Sequence, residues 1–307
     1  MPRMPPQTWA LAGGRLLTID RPCIVGILNV TPDSFADGGR HDDPARALDA
    51  ANAMAEQGAD MLDLGGESTR PGAPRVDHAE QLRRILPVLR AIRQDSGPAR
   101  TLPVSIDTTN ELVALAALEE GAQAINDVSA GVESRDGTLR AAARFGAGIV
   151  LMHRLVPPEA DQYSDRYATP PRYADVVAEV RASLEVRWHA ALAVGIAPDQ
   201  IVLDPGLGFG KSVEDNLRLI ARTRELASLG RPIMSALSRK SFVGRVSLGR
   251  ESHPDERLAG TLALSVLHAA SGASIFRVHD VGAHRESLEA WRALAEHAGH
   301  DDRQGSA

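Results

Sequence analysis

A repeated alternation restricts the fold of this chain more than anything else in it. A short apolar, β-branched run is followed by a cluster of Gly, Asp, Asn or Ser, and then by an Ala/Leu/Arg/Glu-rich segment with helical spacing. The alternation occurs eight times, with runs at 23–30 (CIVGILNV), 60–65, 102–107, 123–128, 148–153, 201–204, 232–237 and 274–279. The helical segments between them lie near 43–58, 77–94, 109–121, 136–146, 173–195, 213–229, 254–272 and 283–298, several ending at a glycine such as Gly58, Gly195 or Gly272. Parallel strands need helical crossovers of about this length. Strands buried on both faces read as nearly continuous apolar runs, as these do. Eight such units in 307 residues predict an α/β fold, a single (β/α)8 TIM barrel. The competing arrangement, a doubly wound sheet, normally stops at about five or six strands.

Around the barrel, expected over 23–298, the chain divides simply. Residues 1–22 form an N-terminal segment in which 10–20 reads as a short β-hairpin turned at Gly13-Gly14, suited to plug the barrel's N-terminal end. Residues 299–307 are polar and small and are expected to be disordered. The Pro/Tyr/Asp-rich stretch 154–172 is too long for an ordinary βα connection and reads as a surface lid or variable loop.

Composition narrows the function classes. Aromatic residues are 4% of the chain and net charge is −6, which disfavours base-stacking platforms and wide polyphosphate-tracking surfaces, so no nucleic-acid partner is expected. Cys23 is the single cysteine, so no disulfide or cysteine-based zinc site forms within the chain. With no signal-like N-terminus and no apolar stretch of about 18 residues, a soluble cytoplasmic protein without a membrane partner is expected.

In a barrel of this kind the C-terminal strand ends converge on one mouth, and polar residues collect there. The ends carry Asn29, then Thr31 to Gly39; Gly65 to Gly72, with Thr69, Arg70 and Pro71; Asp107; Asn126; His153; Asp204, then Gly206 to Lys211; Ser238 to Ser241; and Arg277 with His279. Any one Asp or Asn here is as suited to cap the following helix as to touch a ligand. His153 alone is more often a hydrogen-bonded rim residue than a catalyst, and Asp127 and Asp280, which point to the opposite face from their neighbours, read as structural. The 206–212 segment is not a phosphate loop, because Pro205 stands where that pattern needs glycine. Capping, however, does not also require Lys240, Arg70, Arg277 and His279 on the same rim. Asp107, Asn126 and Asp204 offer acceptors and an amide that match a planar heterocycle such as a pterin or purine. The four basic residues suit a phosphate or diphosphate, Arg277 also being able to stack on a flat ring. Asn29 with diphosphate oxygens and waters could complete a Mg²⁺ shell, since that ion takes few protein ligands.

The motifs GILNVTPDSFADGG, DLGGESTRPGA, VSIDT, AINDVSA, VLMH, LDPGLGFGK, SRKSFVG and RVHDV, in order over residues 24–281, resemble the dihydropteroate synthase family. The resemblance implies a Mg²⁺-dependent, commonly homodimeric cytoplasmic transferase that joins a dihydropterin methyl diphosphate to 4-aminobenzoate and is the sulfonamide target. It places the pterin ring against Asp107, Asn126, Asp204 and Lys240, with Arg277 on its face, Thr69 beside it, and Arg277 and His279 on the diphosphate. Asn29 falls near the metal. Loops 31–41 and 69–77 would close over the site; Asp37, with Asp107 and Asp204, would face developing positive charge. Phe35, Pro71, Phe209, Lys240 and Ser241 would shape the aminobenzoate pocket. Leu207 stands where the family often has an aromatic residue, and the segment after His153 lacks the family's usual continuation. Two rivals remain at this level, a corrinoid-system methyltransferase sharing the pterin set and a non-catalytic pterin-binding paralogue.

Overall fold

The structure is a computed structural model that describes residues 7–30 and 44–304, the side chains from 298 onward excepted. Two antiparallel strands, β1 (Gln7–Leu11) and β2 (Arg15–Ile19), form the N-terminal hairpin, which begins somewhat earlier than the 10–20 stretch expected. Eight parallel strands follow: β3 (Cys23–Asn29), β4 (Met61–Gly65), β5 (Val104–Asp107), β6 (Ala124–Asp127), β7 (Gly148–Met152), β8 (Ile201–Asp204), β9 (Met234–Ser235) and β10 (Ile275–Val278). They run in sheet order β8-β7-β6-β5-β4-β3-β10-β9. The ring closes between β8 and β9 through a parallel bridge, Leu203 to Ile233, and the Leu203 N–H donating to the Pro232 carbonyl at 3.0 Å. The expected (β/α)8 barrel with its hairpin is therefore the observed fold.

Ten helices surround the strands among the described residues: α1 (Pro44–Glu56), α2 (His78–Gln94), α3 (Glu111–Glu119), α4 (Gly137–Phe145), α5 (Val176–Ala193), α6 (Val213–Ala221), α7 (Thr223–Ala227), α8 (Ser241–Leu248), α9 (Leu258–Ala270) and α10 (Val281–Gln304). Three of them depart from the sequence reading. The sixth helical stretch is broken at Arg222, where the Thr223 hydroxyl bonds the carbonyls of Leu219 and Ile220 at 2.8 and 2.9 Å and so competes with the helix ladder. The connection after β9 contains an extra helix, α8, that the strand–helix alternation does not reveal. The last helix continues to Gln304, across the boundary assigned to a disordered tail, because polar residues other than the lone Gly299 propagate a helix without difficulty.

Caps set the helix starts. Asp77 accepts from Glu80 N, Asn110 from Leu112 N and Val113 N, Asp175 from Val177 N and Ala178 N, and Ser212 from Asp215 N. None of these is a strand-end residue. After β5 the cap is Asn110, further along the loop, which leaves Asp107 free of that duty; α4, after β6, has no side-chain cap, and Asn126 donates instead to Asp63.

Candidate active site

Side chains alternate along a strand, so every second residue faces the barrel interior. At the N-terminal end the inward layer is apolar: Val25, Met61, Ala124, Val150, Val202, Met234 and Ile275 pack against Trp9, Leu11 and Ile19 of the hairpin. Two residues further along the same strands stand Asp63, Asn126, Met152, Asp204 and Arg277. One step of the pleat separates a dry plug from a charged mouth.

Asp63 and Arg277 organise that mouth. Arg277 Nε donates to Asp63 Oδ2 at 2.6 Å and its Nη2 to Asp107 Oδ2 at 2.7 Å. Asp63 also accepts from Ser105 Oγ at 2.5 Å and from Asn126 Nδ2 at 3.0 Å. Burial opposes the Arg277 charge, but Asp63 and Asp107 more than offset it and hold the guanidinium protonated. The other Asp107 oxygen, Oδ1, is buried and has no hydrogen-bond partner among the described residues. Burial pushes the Asp107 carboxyl up and the Asp63 charge adds to this, with Arg277 pulling the other way. An unpaired buried acceptor costs about 1–3 kcal/mol, so its retention points to a ligand that supplies the donor.

The opposite side of the mouth is built by two turns. After β8, Asp204 Oδ1 accepts from Gly206 N at 2.6 Å, and burial raises its carboxyl while Lys240 lowers it. After β9, Arg239 takes a left-handed conformation, φ 59°, that costs a non-glycine residue free energy. It is held there by paired bonds to Asp280 (2.9 and 2.5 Å), by Asp255 at 2.8 Å, and by Arg257 donating to its carbonyl at 2.8 Å. The strained residue presents Lys240 to the mouth. Lys240 Nζ donates to the Leu207 carbonyl and sits 4.2 Å from the Phe209 ring centroid, and burial lowers its pKa to about 8 despite Asp204. Lys240 is also the N-cap of α8 and Ser241 its first residue, so Ser241 and the free N–H groups of that helix form a donor set suited to a carboxylate. Val128, Met152 and Phe209 make a small apolar cluster on the wall.

His279 differs from its expected role as a cation. Burial, then the Arg277 and Arg239 charges, hold its imidazole down at about 3, so it is a neutral group, paired through Nδ1 with Ser238 Oγ at 3.0 Å. Asp127 and Asp280 are structural, as expected: Asp127 accepts from Ser129 N, Gly131 N and Thr138 Oγ1, and Asp280 holds Arg239. The 69–77 loop is docked on the 154–172 segment, Gly72 N donating to Pro158 O at 2.8 Å and Arg75 pairing with Glu159 and Glu133. Thr69 and Pro71 are half-buried there and Arg70 is exposed. Phe35 and Asp37 lie outside the described residues.

A divalent-metal position is compatible with the mouth. Asn29 ends β3, half-buried, beside Gly65 and Asp107, and its side chain makes no hydrogen bond to another described residue. Among the described residues no group of three His, Cys, Asp or Glu side chains is arranged to hold a metal. One amide oxygen completed by substrate phosphate and water is the kind of shell Mg²⁺ accepts.

Sequence reasoning misses Asp63 and Val128 in this mouth. The first is within its reach, because Asp63 stands two places after the inward Met61.

A (β/α)8 barrel whose mouth offers an amide, buried carboxylates and paired cations defines an enzyme of a polar planar substrate. The pterin binding enzyme family profile matches residues 25–279. The dihydropteroate synthase of Escherichia coli strain K12 is 40% identical over 284 residues, 92% of this chain and 94% of that protein. The structure of Xanthomonas albilineans dihydropteroate synthase with 4-aminobenzoic acid superposes with a TM-score of 0.82 at 43% identity, covering 94% of this chain and 99% of that one. That of Burkholderia cenocepacia dihydropteroate synthase complexed with 7,8-dihydropteroate gives 0.82 at 38% identity over 96% and 99%. This chain belongs to the pterin binding enzyme family, in its dihydropteroate synthase group.

Proposed function

We infer that the protein is a dihydropteroate synthase, a cytoplasmic homodimer that condenses (7,8-dihydropterin-6-yl)methyl diphosphate with 4-aminobenzoate to give 7,8-dihydropteroate and diphosphate. The observation that carries this reading is the unpartnered, buried Asp107 Oδ1, set between Asn126 and Arg277 at a mouth whose other wall is Asp204 and Lys240. The 4-aminobenzoic acid and 7,8-dihydropteroate held by the two solved relatives support it.

Asp107, Asn126 and Asp204 take the amino, ring N–H and carbonyl edge of the pterin, Lys240 donates to it, and Arg277 stacks on its face. Thr69 and Arg70 sit beside the substrate; Arg277 and neutral His279 donate to the diphosphate. Mg²⁺, held by Asn29 and substrate oxygens, would neutralise charge on the leaving diphosphate. The methylene C–O bond breaks with its electrons leaving on diphosphate, and the resulting positive charge on the dihydropterin faces Asp107 and Asp204. Preorganised contacts of this kind are worth about 3–4 kcal/mol each. The arylamine nitrogen, placed between Phe209, Pro71 and the Lys240 stem with its carboxylate on Ser241, forms the new C–N bond and releases a proton to solvent. A weakly basic amine needs no strong general base for that last step.

The direct test incubates purified protein with both substrates and Mg²⁺ and follows dihydropteroate by chromatography. Product that disappears when the metal or either substrate is omitted is expected. Absence of product from folded protein under saturating conditions rejects the assignment.

A further inference from the structure

Lys211 is unused by the reaction as described, yet it is wholly buried. Its ammonium is seated on backbone: Nζ donates to Phe209 O at 2.8 Å, Gly206 O at 2.9 Å and His153 O at 3.3 Å, and lies 3.0 Å from His153 Nδ1. Burial draws its pKa down to about 7 against the pull of Asp204, and the three backbone carbonyls around Nζ favour the charged form. An ammonium has no acceptor, so in that form it donates to His153 Nδ1 and the imidazole carries its proton on Nε2. Burial holds that ring neutral. Burying a charged amine costs several kcal/mol unless its donors are met, and here all three are.

What the ammonium grips is the 206–210 turn. Gly206, Gly208 and Gly210 all have positive φ (67°, 82° and 60°), and a Cβ on each would meet the His153 carbonyl at 1.9 Å, the Lys240 stem at 2.8 Å and Leu155 at 2.8 Å respectively. The turn is thus wedged between the end of β7, Lys240 and the 154–172 segment. That segment grips it from outside: Asp161 Oδ2 accepts from Gly210 N at 2.9 Å, and Tyr173 OH, just beyond it, donates to Gly210 O at 2.8 Å. The turn in turn carries the Leu207 carbonyl that receives Lys240 Nζ and the Phe209 ring beneath it.

We propose that Lys211 and Asp161 are positioning residues for the arylamine half of the reaction, pinning the 206–210 turn so that the Phe209 ring stands where 4-aminobenzoate is received. The proposal rests on the reading above that Phe209 shapes the 4-aminobenzoate pocket. It also gives the 154–172 segment a task, as the outer half of a clamp whose inner half is the Lys211 ammonium.

The test compares wild type with Lys211→Met and Asp161→Ala, measuring KM for 4-aminobenzoate and for the pterin diphosphate separately, together with kcat and the thermal midpoint. A displaced pocket raises the 4-aminobenzoate KM by roughly tenfold or more, since misplacement near 1 Å can cost up to about a hundredfold, and raises the pterin diphosphate KM by much less. Asp161→Ala decides the matter if Lys211→Met does not fold. A purely structural role lowers the midpoint and the active fraction with both KM values unchanged, and that result, or equal rises in the two, overturns the proposal. Wild-type protein that makes no dihydropteroate fails the functional reading instead, so the two failures are distinguishable.

Discussion

The two ends of the barrel are made from the same strands and have opposite chemistry. At the N-terminal end Trp9 is fully buried over the apolar layer, its Nε1 donating to Gln200 O at 2.9 Å. At the C-terminal end Asp63, Asp107, Asn126, Asp204 and Arg277 stand in the same file of inward positions, with one fully buried carboxylate oxygen, Asp107 Oδ1, unpaired among the described residues. The plug leaves no buried side-chain nitrogen or oxygen unpaired among the described residues, whereas the mouth leaves one open for a ligand. Stability and chemistry are thus kept apart by two residues of strand length.

That separation is open to direct test. The largest effect expected is on the plug: Trp9→Ala should cost about 3–5 kcal/mol of unfolding free energy, with both KM values unchanged at a temperature well below the transition. A coincident loss of turnover per folded molecule would show the two ends to be coupled. At the mouth, Arg277→Ala should reduce kcat/KM by about a hundredfold to a thousandfold, or roughly 3–4 kcal/mol, while the circular dichroism spectrum is retained. Wild-type-like turnover there would remove the mouth from the reaction.

A smaller change probes the support beneath it. Asp63→Asn keeps the shape but removes the charge facing Arg277 Nε, and a lost charged hydrogen bond of about 1.5–3 kcal/mol should appear as a rise in the pterin diphosphate KM. An unchanged KM would mean that Asp107 alone orients Arg277.

The smallest effect is a pH dependence away from the mouth. His268 is buried on α9 against Ser235 Oγ at 2.9 Å, and burial lowers its pKa to about 3. The unfolded chain titrates near the ordinary value of about 6.5, so this histidine's contribution to stability is complete above that pH and is lost as pH falls from there toward 3, by at most about 1.4 kcal/mol per unit. His268→Gln should reduce the rise of the urea midpoint between pH 5.5 and 7.5, to which the other buried neutral histidines also contribute, and leave the KM values alone. A slope identical to wild type would show that His268 titrates in the folded protein as it does in the unfolded chain.

Much of the contrast between the two ends is legible in the amino-acid sequence alone. The apolar runs mark all eight strands to within about two residues at each end, because a strand buried on both faces leaves an uninterrupted apolar signature. The 232–237 run is the loosest, pairing as β9 only over Met234–Ser235. Asp107, Asn126, Asp204, Lys240 and Arg277 stand out as a group because chemistry-bearing residues recur at every strand end. Asp63 escapes notice because it lies one step of the pleat below the ends, in a run that otherwise reads as apolar. Helix α8 is hidden for a different reason: eight residues within a βα connection carry no periodicity long enough to register. His279 looks like a cation in the sequence because the burial that neutralises it, and the Arg239 charge that faces it, arise only on folding.

Period, turn chemistry and strand-end position are local properties, and they suffice to specify the eight-unit barrel, the hairpin and the residue types that meet at one rim. Which of those residues pair is a matter of the folded molecule. Arg277 bridges Asp63 and Asp107 across 214 and 170 residues, and Lys211 reaches back 58 residues to His153. Charge states and the unpaired Asp107 oxygen depend on burial and on such distant neighbours, and no local pattern encodes either.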